Sequence, residues 1–192
     1  KDSLDEDINA ILKTGVEVKH GLKIGVDVTI QELREQYDAV LITIGASTDK
    51  KLGLEGEDAD GVYSAVQFLR NVGKEQILDL TGKQVAVIGG GVVGVGLATI
   101  LGALGAHVTI IEKKERLLAP MDGELSAALE TLLRRRGIEV LTNAIVERAA
   151  EGDGGLTCTV RQGQELSVRT VQRVLVAVGR KPCVEGLIDD KV

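Results

Sequence analysis

The residues best suited to chemistry are a glycine run, Gly89-Gly90-Gly91-Val92-Val93-Gly94. It follows one apolar stretch, Gln84–Ile88, and opens another, Val92–Leu104. A strand, a G-x-G-x-x-G turn and a helix in that order form a dinucleotide-binding fingerprint. Gly89 permits the tight turn out of the strand. Gly91 has no Cβ, so a pyrophosphate can reach the backbone. Gly94 allows close packing of helix on strand. Gly90, Val92 and Val93 complete the turn, and the helix N-terminus offers free N–H groups and partial positive charge to phosphates. A second apolar segment, His107–Ile111, runs into Glu112, 23 positions after Gly89. A carboxylate there accepts hydrogen bonds from ribose hydroxyls and repels a 2′-phosphate, which favours NAD over NADP. Lys113, Lys114 and Arg116 follow it and soften that preference, leaving NADP open. Plainer readings stand beside these: a turn that binds nothing, a solvated carboxylate at a strand end, and a solvated basic loop.

No second chemistry competes. His20 and His107 are far apart and lack metal-ligand spacing, so no metal site is expected. Cys158 and Cys183 form neither a CxxC pair nor a disulfide framework. No G-x-S-x-G elbow is present. Arg134-Arg135-Arg136 closes a helix and complements its dipole. No residue is assigned a catalytic role.

The elements that must hold the turn read as α/β. Ser3 and Glu6 form a capping box for a helix over 3–14, with Leu4, Ile8, Ile11 and Leu12 on one face and Gly15 at its end. Val16–Val18 alternates like a strand, and Thr29 with Glu32 caps a short helix reaching Gln36. Asp38–Gly45 is nearly all apolar and reads as a buried parallel strand. A helix over Ala65–Val72 turns Val66 and Leu69 inward. Asp122 caps a helix over 123–136 with Leu125, Ala128, Leu129 and Leu132 inward. A strand at Ile138–Leu141, strand-like pieces near 144–149, 156–161 and 166–171, and a last strand at Val174–Val178 follow. The pieces suggest a β-meander beside a parallel sheet.

Composition narrows the functions. The chain has 192 residues, 24 of them glycine, and a net charge of −6. Tyr37, Tyr63 and Phe68 are its only aromatics. The charge argues against nucleic-acid backbone binding, and the lack of aromatics argues against base stacking. The 22 uncharged residues from Val85 to Ala106 match a membrane span in length, but seven glycines interrupt them. A soluble protein in a reducing, cytoplasmic setting is expected.

The stretch VAVIGGGVVGVGLATILGALGAHVTIIEKKERLL (Val85–Leu118) resembles the NAD(P)-binding domain of the FAD-dependent pyridine nucleotide–disulfide oxidoreductases. The helix after Asp122, the strand IEVLTN and the closing VAVGRKP resemble that domain in order and spacing. YDAVLITIGAS (Tyr37–Ser47) is similar to a family strand that ends near the flavin. The opening residues and LEGEDADGVYSAVQFLRNV are similar to the branch that includes the glutamate synthase small (β) subunit. The resemblance implies a Rossmann-like NAD(P)-binding domain over 47–179, a partial FAD-domain segment over 1–46, and the start of a returning FAD segment over 180–192. It therefore implies an internal piece of a longer flavoprotein, with FAD held by the parent. It also places Gly45 near the flavin and Gly179 near the nicotinamide–flavin junction. The activity implied is hydride transfer between NAD(P)H and flavin, and the electron acceptor or iron–sulfur partner stays open. One departure is Gly96, where many members carry a glutamate that shapes the nicotinamide site. The paired cysteines of the disulfide-reducing members are absent as well. A flavin-independent NAD-dependent dehydrogenase and a non-enzymatic nucleotide-sensing domain remain alternatives. Self-association through an unpaired edge in residues 1–46, or disorder of that segment, is expected.

Overall fold

The computed structural model describes residues 2–182 and Val184. They fall into two units: residues up to Ile44 with Val184, and residues from Gly45 to Pro182.

The first unit holds α1 (Asp2–Leu12) and α2 (Ile30–Gln36). The Thr29–Glu32 capping box on α2 forms as expected. The Ser3–Glu6 box does not, because α1 already begins at Asp2 and Ser3 lies inside it. Neither helix buries a residue, and Leu4, Ile8, Ile11 and Leu12 are exposed. The strands expected at Val16–Val18 and Asp38–Gly45 do not form. A strand needs a ladder partner, and no described residue pairs with 38–44, so Val40, Leu41, Ile42 and Ile44 stay exposed.

The second unit has three layers. Its elements are β1 (Thr48–Asp49), β2 (Val62–Ser64), α3 (Ala65–Gly73), β3 (Gln84–Ile88), α4 (Val92–Ala103), β4 (His107–Ile111), α5 (Gly123–Arg135), β5 (Glu139–Leu141), β6 (Ala144–Gly152), β7 (Gly155–Gln162), β8 (Glu165–Val171), β9 (Arg173–Val176) and β10 (Arg180–Lys181). A five-stranded parallel sheet runs in the order β2-β9-β3-β4-β5. Strands β6, β7 and β8 form the antiparallel meander, and β1 pairs with β10. The central strands read as unbroken apolar runs because both faces are covered. Val85, Val87, Val108, Ile110, Val140 and Leu175 pack with the helices. Ala86, Ile88, Ile111, Val174 and Val176 pack with Leu156, Cys158, Val160 and Val171 of the meander. The ion pair of Glu139 on β5 with Arg169 on β8, both bonds 2.9 Å, links the two sheets at one edge. The uncharged Val85–Ala106 run is divided between β3, the turn and α4. No helix among the described residues is long and apolar enough to cross a membrane.

Two helices present a different face from the one expected. On α3 the inward residues are Ala65 and Phe68, while Leu69 is half exposed. On α5 they are Ser126, Leu129 and Leu133. Asp122 accepts the Glu124 and Leu125 N–H groups and sets where the helix begins. Ser126 tolerates burial because its hydroxyl donates to the Leu117 carbonyl at 2.8 Å. Leu125, Ala128 and Leu132 point to solvent.

This phase is measurable by urea unfolding. Leu133→Ala, at a position 1% exposed, should cost about 3 kcal/mol. Leu125→Ala, 65% exposed, should stay within about 0.5 kcal/mol of the parent. The reverse order would contradict the helix phase.

Candidate functional site

The glycine turn sits at the carboxyl end of β3, the strand flanked by β9 on one side and β4 on the other. In open parallel sheets, ligands bind at such ends where the strand order reverses. The turn is held by its neighbours' backbones. The Gly89 N–H donates to the Ile111 carbonyl at 2.9 Å, and the Ala177 N–H donates to the Ile88 carbonyl at 2.8 Å.

The glycines do different work. Gly89 has φ +109, and a Cβ there would lie 2.6 Å from the Ala177 carbonyl oxygen. At Gly94 a Cβ would lie 1.8 Å from the Gly89 carbonyl oxygen, so α4 can start this close to its own turn only with glycine. Gly90 falls between the motif's first two glycines, and the G-x-G-x-x-G pattern itself gives it no role. The structure makes it a packed position: a Cβ would meet Leu117 Cδ2 at 2.5 Å and Glu112 Cβ at 3.0 Å. Gly91 is the opposite case, with nothing within 4 Å of an added Cβ. It is the N-cap of α4 and provides no side-chain cap, so the first-turn N–H groups face open space.

That space is a cavity of about 650 Å³. Gly89, Gly90, Gly91, Val92, Val93, Glu112, Lys113 and Gly179 all line it, together with Lys114. Gly94 does not line it; it is buried within the first turn of α4. Gly45 is not among the lining residues; it is exposed and has φ +67. Both Glu112 oxygens accept backbone bonds: Oε2 from the Gly90 N–H and Oε1 from the Lys114 N–H, the latter at 2.7 Å. Lys113 and Lys114 are exposed at the rim. Gly179 has φ +127 and faces the stem of Lys50, whose Cδ lies 3.6 Å from the position of an added Cβ.

One wall was missed in the sequence. Leu52 and Leu54 line the cavity from a stretch that reads as a polar connection. Glu57 shapes their loop by accepting the Leu52 and Gly53 N–H groups at 2.7 and 2.8 Å. The loop is fastened to the meander by the Ala149 N–H, which donates to Glu55 at 2.9 Å, and by Gly56, where a Cβ would lie 1.6 Å from the Ala149 carbonyl oxygen. The only local signal was Leu-Gly-Leu among charged residues. Ala119 and Pro120, from the loop after β4, and Ile145 and Val146 on β6 add further apolar lining.

The remaining candidates fall away from the cavity. Burial pushes the Cys158 thiol up to about 11, so it stays protonated at neutral pH and serves packing. Gly96 is exposed on α4 with nothing within 4 Å of an added Cβ, so there is room where many members carry a glutamate. No cluster of His, Cys, Asp or Glu among the described residues could hold a metal.

Compared with known families, the chain matches the pyridine nucleotide-disulphide oxidoreductases over residues 1–192. It belongs to that family. The dihydrolipoyl dehydrogenase of Geobacillus stearothermophilus is 35% identical over 120 residues, 58% of this chain and 26% of that protein. The glutamate synthase [NADPH] small chain of Bacillus subtilis is 36% identical over 100 residues, 47% of this chain and 20% of that protein. Among solved structures, the HOCl-induced flavoprotein disulfide reductase RclA of Escherichia coli has a TM-score of 0.62 at 27% identity, covering 76% of this chain and 31% of that one. The chain thus spans between a fifth and a third of the length of these relatives.

Three glycine substitutions separate packing from open space in a thermal melt. Gly94→Ala should unfold the domain or lower its melting temperature by more than 10 °C, since backbone must move. Gly96→Ala should stabilise α4 by about 0.5–1 kcal/mol. Gly91→Ala should melt close to the parent. A tolerated Gly94→Ala would contradict the close approach.

Proposed function

We propose that the chain is the pyridine-nucleotide-binding portion of an FAD-dependent oxidoreductase that moves hydride between NAD(P)H and flavin. The observation that carries this reading is the opening at Gly91. An uncapped helix N-terminus and a glycine with no neighbour face a cavity large enough for a dinucleotide. Family membership supports the flavin part and favours it over a flavin-independent dehydrogenase built on the same turn. In this reading residues 47–179 form the nucleotide domain, while 1–46 and 180–192 belong to the flavin-binding part of a longer protein. Gly45 is assigned to the flavin side.

When bound, nicotinamide and flavin supply the hydride chemistry themselves. The chain binds and orients. The first-turn N–H groups of Val92 and Val93 hold the pyrophosphate. Glu112 takes the adenosine ribose hydroxyls and disfavours a 2′-phosphate, so NAD is preferred, with Lys113 leaving NADP possible. Leu52, Leu54 and Ile145 give the adenosine end an apolar wall. Gly179, lacking a side chain, leaves room for the nicotinamide ring. No side chain of this site is assigned proton transfer. Disulfide reduction, which the name of the RclA relative carries, is not assigned to a residue of this site: Cys158 is buried and protonated, and Cys183 lies outside the described residues. A buried, unpaired thiol suits a reducing, cytoplasmic setting. Self-association through the exposed Val40, Leu41, Ile42 and Ile44 belongs to the same reading.

Calorimetric titration tests it. The chain should bind NADH, and NADPH more weakly. Gly91→Ala should keep its fold and lose at least tenfold in NADH affinity, because its methyl occupies the pyrophosphate's approach. No binding of either cofactor at millimolar concentration would overturn the proposal.

A further inference from the structure

We infer that Glu112 is also a positioning residue: its carboxylate holds the glycine turn in its binding geometry through Gly90. The inference rests on the dinucleotide reading above and adds a second role to a residue assigned there to ribose.

Gly90 is clamped from two directions by the segment that follows β4. Its N–H donates to Glu112 Oε2, and its carbonyl accepts the Leu118 N–H at 2.9 Å. Its Cα face lies against Leu117, which is fully buried, and against the stem of Glu112. Glu112 is fixed in turn. Its own N–H donates to the Leu141 carbonyl at 2.8 Å, and its carbonyl accepts the Ala144 N–H at 3.0 Å. Its second oxygen takes the Lys114 N–H at 2.7 Å. The carboxylate therefore ties the end of β4 and its loop to the middle of the turn.

Two consequences follow. The Gly90 N–H is engaged by Glu112, so the donors left for phosphate are those of α4's first turn, Val92 and Val93, two and three residues further on. Each carboxylate oxygen has two acceptor sites, so the remaining two can still meet ribose hydroxyls, and both roles fit one side chain. Bonds from N–H to a charged carboxylate are also stronger than neutral ones. Glutamine cannot replace it. Its NH₂ group would face either the Gly90 or the Lys114 N–H, donor against donor.

A cycle with two ligands separates the roles. NADH and an NADH analogue lacking the 2′ and 3′ hydroxyls of the adenosine ribose are titrated into the chain and into Glu112→Gln. A residue acting only on ribose hydroxyls gives equal analogue affinity in both proteins, which would overturn the inference. Positioning predicts that the variant weakens the analogue about tenfold or more. A variant-free measurement covers the case in which Glu112→Gln does not fold. In the unaltered chain, the Gly90 and Lys114 amide protons should resonate downfield of ordinary backbone amides. Ordinary positions for both would overturn the anchoring. Failure of the unaltered chain to bind NADH would overturn the dinucleotide reading instead, and the amide signals would still report on the anchor.

Discussion

The structure turns on one close approach between backbones. Helix α4 begins so near the end of β3 that a single methyl at Gly94 would collide with the Gly89 carbonyl. Behind the turn, the backbone just past β9 lies so near Gly89 that a Cβ there would meet the Ala177 carbonyl. These two contacts aim the helix N-terminus out of the sheet and into the cavity. They also make the turn rigid, so its N–H groups are preoriented rather than recruited. Preorganised donors cost little further ordering when an anion arrives.

The layers on either side serve that turn. The helices seal one face of the parallel sheet and the meander seals the other, so β3 is held at its full length. The meander does more than cover. Ala144, Ile145 and Val146 on β6 form part of the cavity wall, and Ala149 carries the loop that brings in Leu52 and Leu54. The site is therefore polar backbone on one side and apolar side chains on the other, the usual division of labour in a nucleotide pocket.

What was legible in the sequence was local. Strand β3, the turn, α4 and β4 are consecutive, and each is specified by its own residues, so Gly89 to Gly94 and Glu112 could be placed without a structure. The Thr29–Glu32 box and the Asp122 cap are local too. What failed depends on distant partners. Asp38–Gly45 has a strand's composition, yet pairing is a property of two segments. The phase of α5 depends on the carbonyl of Leu117, which makes a buried serine acceptable and turns Leu125 outward. The Leu52 and Leu54 wall depends on Gly56 reaching Ala149, nearly a hundred residues away in the chain. The tight packing of Gly90 was not legible because its constraint comes from Leu117 and Glu112, beyond the motif itself.

The central claim is that a dinucleotide is held by backbone donors at this turn. The most direct measurement is a ¹H–¹⁵N NMR titration of the chain with NADH. The account predicts that the amides of Val92, Val93 and Gly94 shift first and furthest, joined by Lys113 and by Ala177 to Gly179. Saturable shifts elsewhere, with the turn unmoved, would contradict it.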